Sequence, residues 1–142
     1  MKKVLAGCLA AVLLACMSAC DAPAADALTV KIQCACDGEE IHQIYYSCYL
    51  GGEYYSMGGM ADLDGNALTS DTPLERVFDK SYFDGSDPTA LSMDFSPYGK
   101  DDTSERGTTN KVELNAAYGQ SCTILLSGNK EDGYTARLLD ED

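Results

Sequence analysis

The sequence predicts an all-β protein: an antiparallel β-sandwich of seven or eight short strands across residues 28–142, with an immunoglobulin-like strand order as one arrangement. Three observations lead there. Apolar residues recur at every second position through most of the chain. Turn signals such as Asp37-Gly38, Gly51-Gly52 and Asp64-Gly65-Asn66 separate these runs. Only one short segment offers helical spacing.

The elements follow in order. Leu28, Val30, Ile32, Cys34 and Cys36 alternate with Thr29, Lys31, Gln33 and Ala35, the pattern of a half-buried strand. Ile44, Tyr46, Cys48 and Leu50 share one face of the next strand, Gly51-Gly52 is a two-residue hairpin turn, and residues 53–60 return. Thr72-Pro73-Leu74-Glu75 has capping-box spacing, yet a strand from Leu74 to Phe78 followed by a helical turn near Lys80–Phe83 fits better among strands. Later alternations are Leu91, Met93 and Phe95; Val112 and Leu114; Cys122, Ile124 and Leu126; and Tyr134, Ala136 and Leu138. Asn129–Gly133 makes the last hairpin, and residues 96–110, SPYGKDDTSERGTTN, read as a long exposed connection. Support for the immunoglobulin order is thin. The chain has no tryptophan, and Tyr118 precedes Cys122 by four positions where a tyrosine corner needs two.

The N-terminus carries a separate message. MKKVLAGCLAAVLLACMSAC has a basic start, a thirteen-residue apolar run from Val4 to Cys16, and a small-residue exit. The run is short of the roughly 20 residues that span a bilayer, and the three parts together describe an export signal. The stretch resembles the leaders of bacterial lipoproteins, in which a cysteine after small residues is lipidated and becomes the mature N-terminus. In Met17-Ser18-Ala19-Cys20 the cysteine is Cys20; Leu13-Leu14-Ala15-Cys16 competes for the role but cuts into the apolar run. Cys20 also leaves an even set of later cysteines. The resemblance implies a signal peptide over 1–19, a lipidated tether over 20–27, and anchoring at the extracytoplasmic face of the cell membrane. It extends to the leader alone.

Charge narrows the partners. Removing residues 1–19, which hold two lysines and no acids, takes the formal net charge from −13 to −15. This argues against nucleic acid, because neutralising phosphates requires clustered Lys and Arg. It argues too against adhesion to an anionic bilayer by charge, so the lipid must supply the anchor. Acidity serves first to keep an exported domain soluble.

Residues 45–56, YYSCYLGGEYYS, hold the richest candidate site. With the turn at Gly51-Gly52, Leu50 pairs with Glu53, Tyr49 with Tyr54, Cys48 with Tyr55 and Tyr46 with Met57. Ile44, Tyr46, Cys48, Tyr55 and Met57 then face the core, while Tyr45, Ser47, Tyr49, Tyr54 and Ser56 face outward. Tyr45, Tyr49 and Tyr54 are therefore the candidate ligand-binding residues, suited to stacking on a sugar or anchoring a protein. Ordinary cross-strand packing is the plainer reading of the same rings.

Cys34, Cys36, Cys48 and Cys122 all fall on inward parity. In an exported chain they are disulfide candidates, with one of Cys34 and Cys36 joined to Cys48 and the other to Cys122, since a Cys34–Cys36 bridge would be strained. Buried free thiols and a four-thiolate metal site are the alternatives, although the spacing matches no compact zinc pattern. Asp62, Asp64, Asn66 and Asp71 resemble a calcium loop, but Gly65 stands at the wrong position and a hairpin turn is simpler.

Nothing marks an enzyme. His42 is the only histidine, Ser56 lacks the first glycine of a nucleophile elbow, and no glycine-rich phosphate loop or cofactor motif is present. The sequence therefore points to a membrane-anchored, non-catalytic module that binds a cell-envelope protein or glycan. An acidic inhibitor of a cationic hydrolase and a metal-binding envelope protein are the alternatives. Salt separates the first from an aromatic binder, because charge-driven inhibition weakens with ionic strength.

Overall fold

The computed structural model describes residues 23–36 and 38–139. The leader, Cys20 and the acidic terminus at 140–142 lie outside the described residues.

Strand β1 runs over Ala27–Cys36, β2 over Gln43–Leu50, β3 over Glu53–Ala61, β4 over Leu74–Asp79, β5 over Leu91–Tyr98, β6 over Val112–Glu113, β7 over Ser121–Asn129 and β8 over Gly133–Leu139. A 3-10 turn, Pro88–Ala90, precedes β5, with Asp87 as its cap. The protein is thus an all-β sandwich of two four-stranded sheets, ordered β4-β1-β7-β8 and β3-β2-β5-β6.

Period two accounts for the core. Leu28, Val30 and Ile32 of β1, Ile44 and Cys48 of β2, Met93 and Phe95 of β5, and Ile124 and Leu126 of β7 are all buried. Phe78 of β4 and Phe83 of the following turn complete an aromatic end, with ring centroids 5.4 Å apart. Each such side chain contributes roughly 1.5–3 kcal/mol on burial, so the sandwich rests on this interleaved layer. The strand at Leu74, followed by a turn, is as the sequence suggests: Tyr82 N–H donates to Asp79 C=O and Gly85 N–H to Lys80 C=O.

Four expectations are corrected. First, β1 and β7 pair in parallel, with Val30 beside Cys122, so the first sheet is mixed. Immunoglobulin constant domains order their strands 1-2-5-4 and 3-6-7, and this strand order differs in both sheets. Parallel pairing joins residues about ninety positions apart, which no local turn signal specifies.

Second, the β2–β3 hairpin keeps Leu50–Glu53 and Tyr49–Tyr54 but then shifts, so that Cys48 pairs with Ser56 and Tyr46 with Gly58. Tyr55 is the extra residue of a β-bulge. One added residue inverts the faces beyond it. Met57, expected in the core, is 62% exposed, and Tyr55 is 36% exposed.

Third, no disulfide joins Cys34, Cys36, Cys48 and Cys122 to one another. Register explains why Cys122 joins neither Cys34 nor Cys36. It lies beside Val30, four and six residues back along β1. At about 3.3 Å per residue those separations exceed the roughly 7 Å limit for a bridge.

Fourth, the ends of two loops are structured. Ala27, assigned to the tether, is buried in β1, and Lys80 N–H donates to Asp26 C=O. Residues 96–98 belong to β5, and buried Thr109 returns to it, its N–H donating to Phe95 C=O and its hydroxyl accepting from Phe95 N–H.

Candidate functional site

The outer face of the second sheet gathers the tyrosines. Because Ile44, Tyr46 and Cys48 point inward, Tyr45 and Tyr49 point outward from β2, and the hairpin sets Tyr54 beside them. Tyr49 and Tyr54 meet edge to face, centroids 6.0 Å apart. Tyr54 is 61% exposed. Tyr45 meets Tyr98 edge to face at 5.1 Å, and its hydroxyl accepts from Gln43 Nε2 at 3.1 Å. The bulge adds exposed Met57 to this face.

Tyr98 and Asp94, both on β5, are the residues that the sequence did not single out. Asp94 sits between core residues Met93 and Phe95, on the parity expected to face water, yet is 8% exposed. Register explains it. Ser47 lies opposite Asp94, while Tyr45 and Tyr49 stand on the diagonals. Tyr49 Oη–H donates to Asp94 Oδ2 at 2.9 Å. That bond to the carboxylate, with some burial, holds the Tyr49 phenol above its ordinary pKa. Lys111 Nζ stands 3.4 Å from the centroid of the Tyr49 ring, a cation–π contact.

Together these residues enclose an open recess of about 330 Å³, with Tyr45, Tyr49, Tyr98 and Met57 as apolar wall and Asp94, Ser47 and Ser96 as polar floor. The connection after β5 supplies the rim. Ser96 Oγ–H donates to Glu105 Oε2 at 3.2 Å and shares a hydrogen bond with Thr108 Oγ1 at 2.9 Å. Tyr54 stands outside the recess, against Tyr49. A concave aromatic surface with few convergent polar groups has the composition of a ligand site.

The other candidates resolve differently. Burial pushes the Cys34 thiol up to about 12 and the Cys48 thiol up to about 11, so neither is a nucleophile at neutral pH. Asp62 Oδ2 accepts from Asp64 N–H, Asn66 N–H and Asn66 Nδ2, so this carboxylate is engaged in closing its own turn. Among the described residues, no group of three or more His, Cys, Asp or Glu side chains is placed to hold a metal ion. His42 Nδ1 lies 3.0 Å from Gly65 C=O and ties the start of β2 to that turn.

No protein-family model matches the chain, and no curated protein matches it. Among solved structures, the membrane-binding domain of pneumolysin is 16% identical with a TM-score of 0.37, over 82% of this chain and 96% of that one. A structure described as a trapped toxin is 13% identical with a TM-score of 0.31, over 82% of this chain and 23% of that one. What the fold defines is a two-sheet, all-β sandwich, and the two likenesses add nothing about activity.

Proposed function

We propose that the protein is a lipid-anchored, extracytoplasmic binding module, without catalytic activity of its own, that engages a cell-envelope protein or glycan through the outer face of the β3-β2-β5-β6 sheet. One observation carries this reading. Tyr54 and Met57 are more than half exposed beside an aromatic recess, on a face that strand alternation would otherwise fill with polar residues. The leader's resemblance to lipoprotein signals supports the anchor and the envelope setting.

The test is co-sedimentation of the purified mature protein with purified envelope fractions. Two variants are compared: Tyr54→Ser with Met57→Ser, and Tyr45, Tyr49 and Tyr54 all changed to Ser. Loss of binding in both, with cooperative unfolding retained, supports the tyrosine face. Full binding by a folded double variant overturns it. Binding that collapses with salt and ignores the tyrosines favours the acidic-inhibitor reading instead.

A further inference from the structure

We infer that the recess on this face takes an organic ammonium group carried by the partner. The inference rests on the proposed binding face and names the chemistry of what enters it. Asp94 is the central observation. It is a carboxylate more than nine-tenths buried, lining a concave space, with the Tyr49 hydroxyl as its hydrogen-bond partner. None of the ion pairs among the described residues includes it. A carboxylate has about four acceptor sites, and one phenol occupies one of them.

The walls favour the same ligand. Tyr45, Tyr49 and Tyr98 line the space, and aromatic rings attract ammonium groups, most strongly when water is excluded. The chain already contains one instance, since the Lys111 ammonium rests on the Tyr49 ring. Lys111 stands on that ring without an ion pair to Asp94. Glu105 places a second carboxylate at the rim. Over longer range, the strongly acidic chain draws cations toward its surface. A neutral sugar would use the rings but leave Asp94 without a counter-charge. A quaternary ammonium or a lysine side chain uses both.

The test uses the mature protein in about 0.15 M salt, where exposed charges are screened beyond roughly 8 Å. Choline, Nα-acetyl-lysine methylamide and dimethylbutanol, the neutral carbon isostere of choline, are titrated while tyrosine ring resonances are followed by NMR. The expected result is saturable shifts at Tyr45, Tyr49 and Tyr98 with at least one ammonium, and binding of the isostere weaker by about tenfold or more. Asp94→Asn keeps the fold and loses about tenfold in affinity. Tyr98→Leu, farther from the carboxylate, weakens binding as a second check. Preference for choline or for the lysine derivative identifies the source of the ammonium. Equal binding of the isostere, no binding of either ammonium, or unchanged affinity in Asp94→Asn overturns the inference. If the ammonium probes fail while Tyr54→Ser with Met57→Ser still abolishes envelope binding, the face stands as a binding surface and only its cation chemistry falls.

Discussion

The Tyr46 phenol fills the space that a side chain at Gly58 would need. The two are cross-strand partners, and a Cβ at Gly58 would overlap the Tyr46 hydroxyl and ring. The ring reaches on across the sandwich to meet Phe78 of β4 edge to face at 5.9 Å. Gly58 is therefore a packing requirement and not a turn residue. Gly58→Ala is expected to cost about 1–3 kcal/mol, as overpacked cores do. Urea unfolding checks it: the midpoint should fall with an unchanged slope. A midpoint equal to wild type would show that Tyr46 moves aside freely.

Glu39 is the hub of a second cluster, and it sets an acid limit. Its carboxylate accepts from Lys130 N–H at 2.8 Å, from the Tyr134 hydroxyl, and lies 3.5 Å from Arg106 Nη1. Burial pushes its pKa up, but the Tyr134, Lys130 and Arg106 contacts outweigh burial and hold it below the ordinary carboxylate value. A depressed folded pKa adds stability above the unfolded value near 4.3, and that stability is lost as pH falls through the folded pKa. Glu39→Gln should therefore cost about 1.5–3 kcal/mol at neutral pH, the range for hydrogen bonds to charged groups. The difference from wild type should shrink in acid. Chemical denaturation at a series of pH values tests it, and a pH-independent difference would rule the charge out.

Tyr134 gives the opposite limb. Burial, and then its bond to Glu39, push the phenol up to about 12. A raised folded pKa contributes stability that is complete below the unfolded value near 10 and is lost as pH rises through the folded one. Tyr134→Phe should flatten the alkaline limb between these values. An alkaline limb identical to wild type would reject the assignment.

The thiols should be silent until the sandwich opens. Cys34 and Cys48 are desolvated, with their pKa values pushed far above neutral. Alkylation at pH 7–8 should leave both unmodified in the native protein, and in denaturant Cys34 and Cys48 should react without prior reduction. Intact mass reads the result. A requirement for reductant would show that a bridge forms, and by register it would exclude Cys122 paired with either Cys34 or Cys36.

Alternation was the legible part of this fold. It identified β1, β2, β5, β7 and β8 and their buried faces, because a half-buried strand must alternate and these runs do. It failed where a face is set by something other than parity. Asp94 alternates as a solvent residue yet is buried, with Tyr45 and Tyr49 on its diagonals in the neighbouring strand and the Tyr49 hydroxyl bonded to it. The parallel β1–β7 pair left no trace, since a pairing over that separation has no connecting turn to read. The candidate face was half visible: Tyr45, Tyr49 and Tyr54 came from sequence, while Tyr98, Asp94 and Met57 required the register.

The bulge makes its own prediction. Deleting one residue from a strand normally turns every later side chain to the other face. Tyr55 is the exception in β3, because it is the unpaired residue between Tyr54, opposite Tyr49, and Ser56, opposite Cys48. Its ring packs 5.5 Å from Phe83, and its hydroxyl donates to Tyr82 C=O at 3.0 Å and to Asp84 Oδ2 at 3.1 Å. Removing it should cost those contacts and little else, leaving Ser56–Ala61 on their present partners. Inserting one alanine after Met57 should instead turn Met60, which is buried, toward water. The deletion is expected to unfold cooperatively with native-like ring shifts for Tyr45 and Tyr49, and the insertion to lose them. If both variants behave alike, Tyr55 does not hold the register, and the exposed position of Met57 needs another cause.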